Sequence, residues 1–238
     1  MAENLIFIIV SFFVAVIATL AGFGSSTLMV PIAVIFMDIK TAVFIVACFH
    51  LFNNSFKIKI FWNKIDFKTF LLFGIPSIIF AFLGAMLISI IPVDMTKRIL
   101  ALFLVLFSAY SLAQPKFTVK ETRFNAALGG GLSGLLAGLI GLGGAIRSSF
   151  LIAFNLPKEA YVATSAMIAF VIDITRIPTY LITKIVQDSS YYILLPFLLV
   201  SAYAGVKIGK LLLKKINQET FRKIVLIAVL LAGLKLFF

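Results

Sequence analysis

Long apolar runs separated by short polar or proline-marked connections make up most of this sequence. Eight of the runs are long enough to cross about 30 Å of hydrocarbon as helices. They cover approximately residues 5–36, 41–56, 70–91, 99–112, 126–154, 160–181, 191–213 and 221–238. The first run has no basic region before it and no clear cleavage site, so it is not expected to be removed as a signal peptide. The pattern predicts an all-α polytopic membrane protein with no soluble domain.

Composition supports this class and excludes several others. Of the 238 residues, 62% are hydrophobic and 13% are charged, with a mean hydropathy of +1.16. Soluble domains average about 45–50% apolar and about 25% charged residues. The single cysteine, Cys48, excludes an internal disulfide and a cysteine-cluster metal site. Walker A, H-E-x-x-H and G-x-S-x-G patterns are absent, so we expect neither an enzyme nor a bound cofactor or metal.

Glycines interrupt two of the apolar runs, 5–36 and 126–154, which are longer than one crossing needs. The first interruption is Gly22-Phe23-Gly24-Ser25-Ser26, and the second is Gly141-Leu142-Gly143-Gly144-Ala145. Broken helices persist in a membrane only where protein or a cavity surrounds the freed backbone groups. We therefore expect each interruption to separate two helical legs that line a functional region.

The two interruptions begin 119 residues apart, which is half of the chain length. Further residues match at the same offset: the stretch 54–57 lies over 173–176, and Ala47 lies over Ala166. An ordered series of matches indicates a duplication. The sequence predicts a first transmembrane repeat at 1–119 and a second at 120–238, each with about four hydrophobic segments.

Lysines and arginines in the connections indicate how the repeats are oriented. If all eight segments cross the membrane, these residues divide almost equally between the two sides. If the glycine-interrupted segments enter and leave on the same face, 14 fall on one side and 5 on the other. The positive-inside rule favours the second layout. It predicts inverted repeats, each opening with a re-entrant broken helix, and both termini outside.

Helix N-termini beside the interruptions are candidate anion sites, because free backbone N–H groups and the helix dipole attract negative charge. Arg147, early in the second leg, can bind the paired oxygens of an oxyanion. The alternatives are close helix packing for the glycines and a shallow Arg147 that reaches a lipid headgroup. We expect the substrate to be held at the midplane by these residues: Gly22, Gly24, Ser25, Ser26, Gly141, Gly143, Gly144, Arg147 and Ser148.

Ionisable groups inside the apolar runs are candidates for ion coupling, because charge is costly in hydrocarbon. Asp173 and Arg176 are spaced i,i+3, so they can form a structural ion pair, or Asp173 can exchange a proton. His50 lies one turn before Asn54 and either relays a proton or packs as a neutral side chain. The hydroxyl pair Thr164-Ser165 either lines the same cavity or bonds to its own helix. The candidate coupling residues are His50, Asn54, Asp173 and Arg176.

The second half contains Gly138-Leu139-Ile140-Gly141-Leu142-Gly143-Gly144-Ala145, then Leu156-Pro157-Lys158-Glu159-Ala160 and Ala163-Thr164-Ser165. In the first half, Ala21-Gly22-Phe23-Gly24 through Val30-Pro31 carries the same pattern. With these features the chain resembles the sulfite exporter TauE/SafE family of membrane transporters over nearly its whole length. The resemblance implies movement of sulfite, sulfonates or related small anions across the plasma membrane of a bacterium or archaeon. Ser25, Ser26 and Arg147 stand where the family commonly has glycine or an apolar residue, so the identity of the anion stays open.

These patterns and the resemblance together predict a secondary transporter of small anions, with sulfite, an organosulfonate or a related sulfur oxyanion as substrate. A passive anion channel and a transporter of small carboxylates are the alternatives. The expected partners are the anion, the lipid bilayer and a coupling ion, either H⁺ or Na⁺, with no nucleic acid. Two glycine stripes, Gly130-x3-Gly134-x3-Gly138 and Gly205-x3-Gly209, are predicted to pack helices closely. The second stripe is also a candidate contact between the subunits of a homodimer.

Overall fold

The computed structural model describes residues 2–21, 25–114, 119–186, 188–212 and 218–237. These residues form α1 (Ala2–Ala21), α2 (Ser26–Ala33), α3 (Ile39–Phe61), α4 (Phe67–Ile90), α5 (Val93–Ala113), α6 (Arg123–Ile140), α7 (Gly143–Leu151), α8 (Lys158–Ile182), α9 (Leu195–Leu212) and α10 (Gln218–Phe237). Short 3-10 helices lie at Trp62–Lys64, Ile152–Phe154 and Ser189–Leu194. The described residues contain no strand, so the all-α prediction is confirmed.

Five of the described helices are long and apolar enough to cross a membrane: α3, α4, α5, α8 and α9. Large apolar side chains cover the outside of the protein, as at Ile75 and Ile79 on α4 and at Val200 and Leu211 on α9. Soluble monomers rarely expose apolar patches of this extent. A lipid environment accounts for this surface.

Capping residues and prolines divide the apolar sequence into separate helices. The side chains of Asp38, Asp66 and Thr122 precede α3, α4 and α6 and accept hydrogen bonds from backbone N–H groups two or three residues later. These bonds satisfy donors that a helix N-terminus leaves free. Pro92 and Pro157 immediately precede α5 and α8, where a missing N–H costs no helical hydrogen bond.

Two predicted segments stop several residues short, at one end, of the helices that they mark. α3 continues to Phe61 rather than ending at residue 56, and α5 begins at Val93 rather than at residue 99. Apolar residues Ile58 and Phe61 extend the buried face of α3 beyond the lysine that had suggested a loop. The predicted connection at 57–68 is therefore wrong at its start, and Lys57 lies inside α3.

The second glycine interruption ends one helix and starts another. Gly141 has φ of 77°, the left-handed conformation that favours glycine. At the end of α6, the N–H of Gly141 donates to the carbonyl oxygen of Ala137 and the N–H of Leu142 to that of Leu136. This pattern is common at helix C-termini that close with glycine. The matching residues 22–24 of the first interruption, which include Gly22 and Gly24, lie outside the described residues.

The short helix α7 folds back along α6. A methyl group on Gly143, at the start of α7, would overlap the carbonyl oxygen of Ser133, whereas one on Gly129 would overlap Phe150 near the end of α7. The contacts move towards the N-terminus of α6 as the chain advances along α7. The two helices are therefore antiparallel.

Glycines bring α6 into backbone contact with α4. A methyl group on Gly130, Gly134 or Gly138 would overlap the carbonyl oxygen of Phe73, Ser77 or Ala81, respectively. The contact positions advance in the same direction along both chains, so α4 and α6 are parallel. The first glycine stripe thus packs two helices of this chain closely.

The second glycine stripe makes the corresponding contact between α9 and α1. Gly205 lies against Ala15 and Gly209 against Thr19, so these two helices are also parallel. The stripe is buried within the chain, and the expected subunit contact through it is therefore wrong. Whether the protein forms a homodimer by another surface stays a prediction.

The centre of the protein lies between α3 and α8, which run antiparallel. The backbone N–H of Asp66, just after α3, donates to Thr164 Oγ1 near the start of α8, and His50 meets Asp173 farther along. The helices α5 and α10 also pack together, with Gly233 against Leu104. The described helices occur in the same order in α1–α5 and in α6–α10: a long helix, a short helix and three long helices.

Candidate functional site

A buried cluster of charged and polar groups joins α3 to α8. The carboxylate of Asp173 is fully buried, and its Oδ2 accepts a hydrogen bond from Nδ1 of His50 at 2.8 Å. Its Oδ1 accepts from Nε of Arg176 at 2.9 Å and lies 2.8 Å from Nη2. His50 belongs to the first predicted repeat and the other two residues to the second, and the fold brings them together. The geometry is that of the expected ion pair, with His50 added.

The same cluster holds the broken end of α6. Nη1 of Arg176 and the hydroxyl of Tyr180 both donate to the carbonyl oxygen of Ala137, and the hydroxyl also bonds to that of Gly138. Carbonyl groups at a helix C-terminus lack intrahelical partners and carry the negative end of the helix dipole. A guanidinium at this place therefore satisfies these groups and is itself stabilised. Tyr180 was not among the predicted site residues.

A separate small cavity lies between α1, α3, α7 and α8. Its volume of about 20 Å³ is enough for roughly one water molecule. The described residues that line it are Ala18, Thr19, Asn54, Lys57, Arg147, Tyr161, Val162, Ser165 and Ala166. Of the predicted site residues, Arg147 and Asn54 reach this cavity.

Two basic side chains face the cavity. Arg147 is 2% exposed, and its Nε donates to Ser165 Oγ at 3.0 Å. Lys57 is 5% exposed, and no described residue forms a hydrogen bond or an ion pair with it. Neither aspartate nor glutamate occurs among the described residues of the lining. Burial disfavours an unpaired ammonium group, so an anion in the cavity would stabilise the charged form of Lys57 together with the guanidinium of Arg147.

The depth of Arg147 separates two earlier interpretations. Its near-complete burial and its bond to Ser165 place the guanidinium inside the helix bundle. A side chain that reached a lipid headgroup would be exposed at its tip. The lining of the cavity by Arg147 is therefore consistent with the ligand interpretation.

The described glycines and serines beside the two interruptions do not line the cavity. Gly143 packs on α6, and Gly141 packs against Val30 of α2, so close packing accounts for both glycines. Gly144 and Ser26 are buried, and Ser148 Oγ donates to the carbonyl oxygen of Gly144. Ser25 is fully buried, and its Oγ has no partner among the described residues.

Sequence reasoning missed Lys57 as a site residue. The apolar run seemed to end at Phe56, so this lysine was counted with the loop residues. The spacing from Asn54 to Lys57 repeats that from Asp173 to Arg176, and this match was a visible signal of an internal position. Thr19 and Tyr161 carried no comparable signal, because an isolated hydroxyl in an apolar helix is common.

The sequence model of the family described as "Sulfite exporter TauE/SafE" matches residues 7–236. The chain belongs to this family. It is also 29% identical over 232 residues to the "Probable membrane transporter protein MJ0441" of Methanocaldococcus jannaschii, covering 89% of this chain and 85% of that protein. The predicted family is therefore confirmed, and the protein is an integral membrane protein of a transporter family.

Proposed function

We propose that this protein is a secondary transporter of small anions and that the anion binds between Lys57 and Arg147, in a conformation of the transport cycle in which the water-sized cavity seen here is wider. One observation carries the proposal: two buried basic side chains face one cavity, and no carboxylate is among its described lining residues. Arginine offers a planar fork to an oxyanion, and lysine offers a compact charge. Membership of the sulfite exporter family favours sulfite, an organosulfonate or a related sulfur oxyanion as the substrate.

The proposal includes an inverted duplication, with repeats at 1–119 and 120–238. Support comes from equivalent contacts: α4 packs on α6 of the other half, and α9 packs on α1. The central helices of the two halves, α3 and α8, run antiparallel, as inversion requires. Inverted repeats commonly place the transported substrate at the interface between them.

The short helices support re-entrant segments. With 8 and 9 residues, α2 and α7 extend for about 12–14 Å, which is less than half of a hydrocarbon core. Since α7 returns along α6, the α6–α7 pair enters and leaves on one face. This layout places the loops after α3, α5, α7 and α9 on the lysine-rich side, which is cytoplasmic in a multi-pass plasma-membrane protein.

The cluster of His50, Asp173 and Arg176 is the proposed coupling element. Nε2 of His50 is buried and has no partner among the described residues, whereas Nδ1 bonds to Asp173. A histidine in this position can accept a proton on its free nitrogen and keep the bond to the carboxylate. We propose H⁺ as the coupling ion, with Na⁺ as the alternative that a transport assay distinguishes.

Thermal unfolding of the purified protein tests the anion proposal. A ligand that binds only the folded state raises the melting temperature. Sulfite, sulfate, thiosulfate, methanesulfonate, taurine and acetate are added separately, with the ionic strength held constant. Stabilisation by one class of anion supports the proposal and names the class. Equal melting temperatures in all of them, with no anion uptake by proteoliposomes, would contradict it.

A further inference from the structure

The cavity and the buried cluster occupy equivalent places in the two halves. Three pairs of residues are each separated by 119 positions: Ala18 and Ala137, Asn54 and Asp173, and Lys57 and Arg176. In the second half, Arg176 pairs with Asp173 and donates to the carbonyl oxygen of Ala137. In the first half, the three equivalent residues line the cavity together.

One chemical difference separates the two places. Asp173 supplies a carboxylate to Arg176, but its counterpart Asn54 is neutral. The Asn54 amide turns back to its own helix, where Nδ2 donates to the carbonyl oxygen of His50 at 2.8 Å. Lys57 is therefore the counterpart of Arg176, but it has no carboxylate beside it that corresponds to Asp173.

Arg147 increases this imbalance. It enters the cavity from α7, whereas the residue at the same offset in the first half is Leu28. The cavity, which residues of both halves line, thus has two basic side chains and no described carboxylate. The cluster in the second half has one guanidinium and one carboxylate, with His50 as a further hydrogen-bond donor.

We propose that the acid group of the transported anion takes, in the first half, the electrostatic role that the Asp173 carboxylate has in the second half. The transport site and the ion-pair cluster are then two versions of one duplicated site. One version is completed by a side chain of the protein and the other by the substrate. This inference rests on the proposed anion transport. It adds that the negative group of the anion lies between Lys57 and Arg147, as the Asp173 carboxylate lies beside Arg176.

The substitution Asn54→Asp tests the inference, because it gives the first half the carboxylate that it lacks. The new carboxylate pairs with Lys57 and competes with the anion. We expect sulfite and methanesulfonate to bind about tenfold more weakly or worse, as for loss of a charge-assisted interaction, and uptake into proteoliposomes to fall equally. Asn54→Leu, which removes the amide without adding charge, weakens anion binding less than Asn54→Asp.

Asn63→Asp is the matched control, because it makes the same chemical change at an exposed position in the 3-10 helix after α3. It should bind both anions as the unmodified protein does. Should Asn54→Asp fail to accumulate in the membrane, Ser165→Asp delivers a carboxylate to the same cavity from α8, beside Arg147. We expect Ser165→Asp to exclude both anions as well.

The outcomes separate this inference from the function on which it rests. If the unmodified protein and Asn63→Asp show no binding of either anion, the proposed transport function is wrong. If both bind the anions and folded Asn54→Asp or Ser165→Asp binds them as tightly, the function survives and this inference is overturned. Selective loss in the two cavity variants supports it.

Discussion

Arg147 lines the cavity with a guanidinium, a planar charged group that can offer paired N–H donors to an oxyanion. A hydrogen bond to a charged group contributes about 1.5–3 kcal/mol, so Arg147→Ala should weaken anion binding about tenfold to hundredfold. Arg147→Lys should restore part of this affinity, because it keeps the charge but loses the planar fork. Titration calorimetry with methanesulfonate measures both effects. Arg123→Ala, at the exposed start of α6, is the control.

Binding by Arg147→Ala that equals that of the unmodified protein would show that the guanidinium does not meet the anion. An equal loss in Arg123→Ala would point instead to a general effect of positive charge.

Asp173 has a structural role that must be separated from proton coupling. Its carboxylate is the partner of buried Arg176, and removal of one member of a buried pair costs roughly 3–5 kcal/mol. Asp173→Asn should therefore lower the melting temperature, and the double variant with Arg176→Gln should recover much of it. If Asp173 also carries the proton, the single variant keeps anion exchange but loses the response to a pH gradient.

The double variant decides between these two roles. Gradient-driven uptake that returns together with stability would exclude Asp173 as the proton carrier. Stability that returns without gradient-driven uptake supports coupling through the carboxylate.

At the residue scale, local spacing predicted contacts within a helix and missed those between helices. The i,i+3 spacing correctly indicated the pair of Asp173 and Arg176. The contact of His50 with Asp173 joins residues 123 positions apart, and nothing local in the sequence encodes it. Lys57 was missed because a lysine after an apolar run ordinarily marks the end of a helix. Here the helix continues past Lys57, and its side chain lines the buried cavity.

Backbone contact between α4 and α6 depends on glycine at specific positions. A Cβ atom at Gly134 would overlap the carbonyl oxygen of Ser77, which cannot move away without a shift of α4. Overpacking of this kind costs typically about 1–3 kcal/mol, so Gly134→Ala should lower the melting temperature clearly. Gly131→Ala, on the same helix, meets only the ring of Phe80, a side chain on the outer surface that can move.

The melting temperatures of the two variants are compared by thermal unfolding in the same detergent. Equal stability of Gly134→Ala and Gly131→Ala would contradict the close contact of α4 with α6.

The elements themselves were largely predictable, because apolar length and glycine position are local properties. The break at Gly141 followed from a glycine cluster inside an apolar run, and its positive φ explains why glycine stands there. The ends of α3 and α5 were placed several residues short. The predicted segments 41–56 and 99–112 left out Lys57 and Asp94, although both lie inside helices.

The direction of each helix in the bundle gives a topology that labelling can test. Reporters of membrane sidedness fused at residues 62 and 118 should indicate the same, cytoplasmic face, because α4 and α5 together return the chain to its starting side. A reporter after residue 238 should indicate the opposite face. A reporter after residue 238 on the same face as those at 62 and 118 would contradict the re-entrant layout.

At the scale of the whole molecule, the loop lysines predicted on which side of the membrane each connection lies, and this layout stays a prediction. They could not indicate which helices are neighbours, because packing partners depend on surface shape along entire helices. The pairing of α4 with α6 and of α1 with α9 follows from glycine stripes that meet particular carbonyl groups. The sequence showed the stripes but not the surfaces that they contact.

Uptake of labelled sulfite by proteoliposomes, compared between the unmodified protein and Lys57→Met, tests the central claim most directly. Methionine is similar in length to lysine without its charge, and removal of an unpaired buried charge should not reduce stability. We therefore expect Lys57→Met to fold at least as well and to lose most saturable uptake. Saturable uptake at an unchanged rate in Lys57→Met, or its absence from the unmodified protein, would contradict an anion site between Lys57 and Arg147.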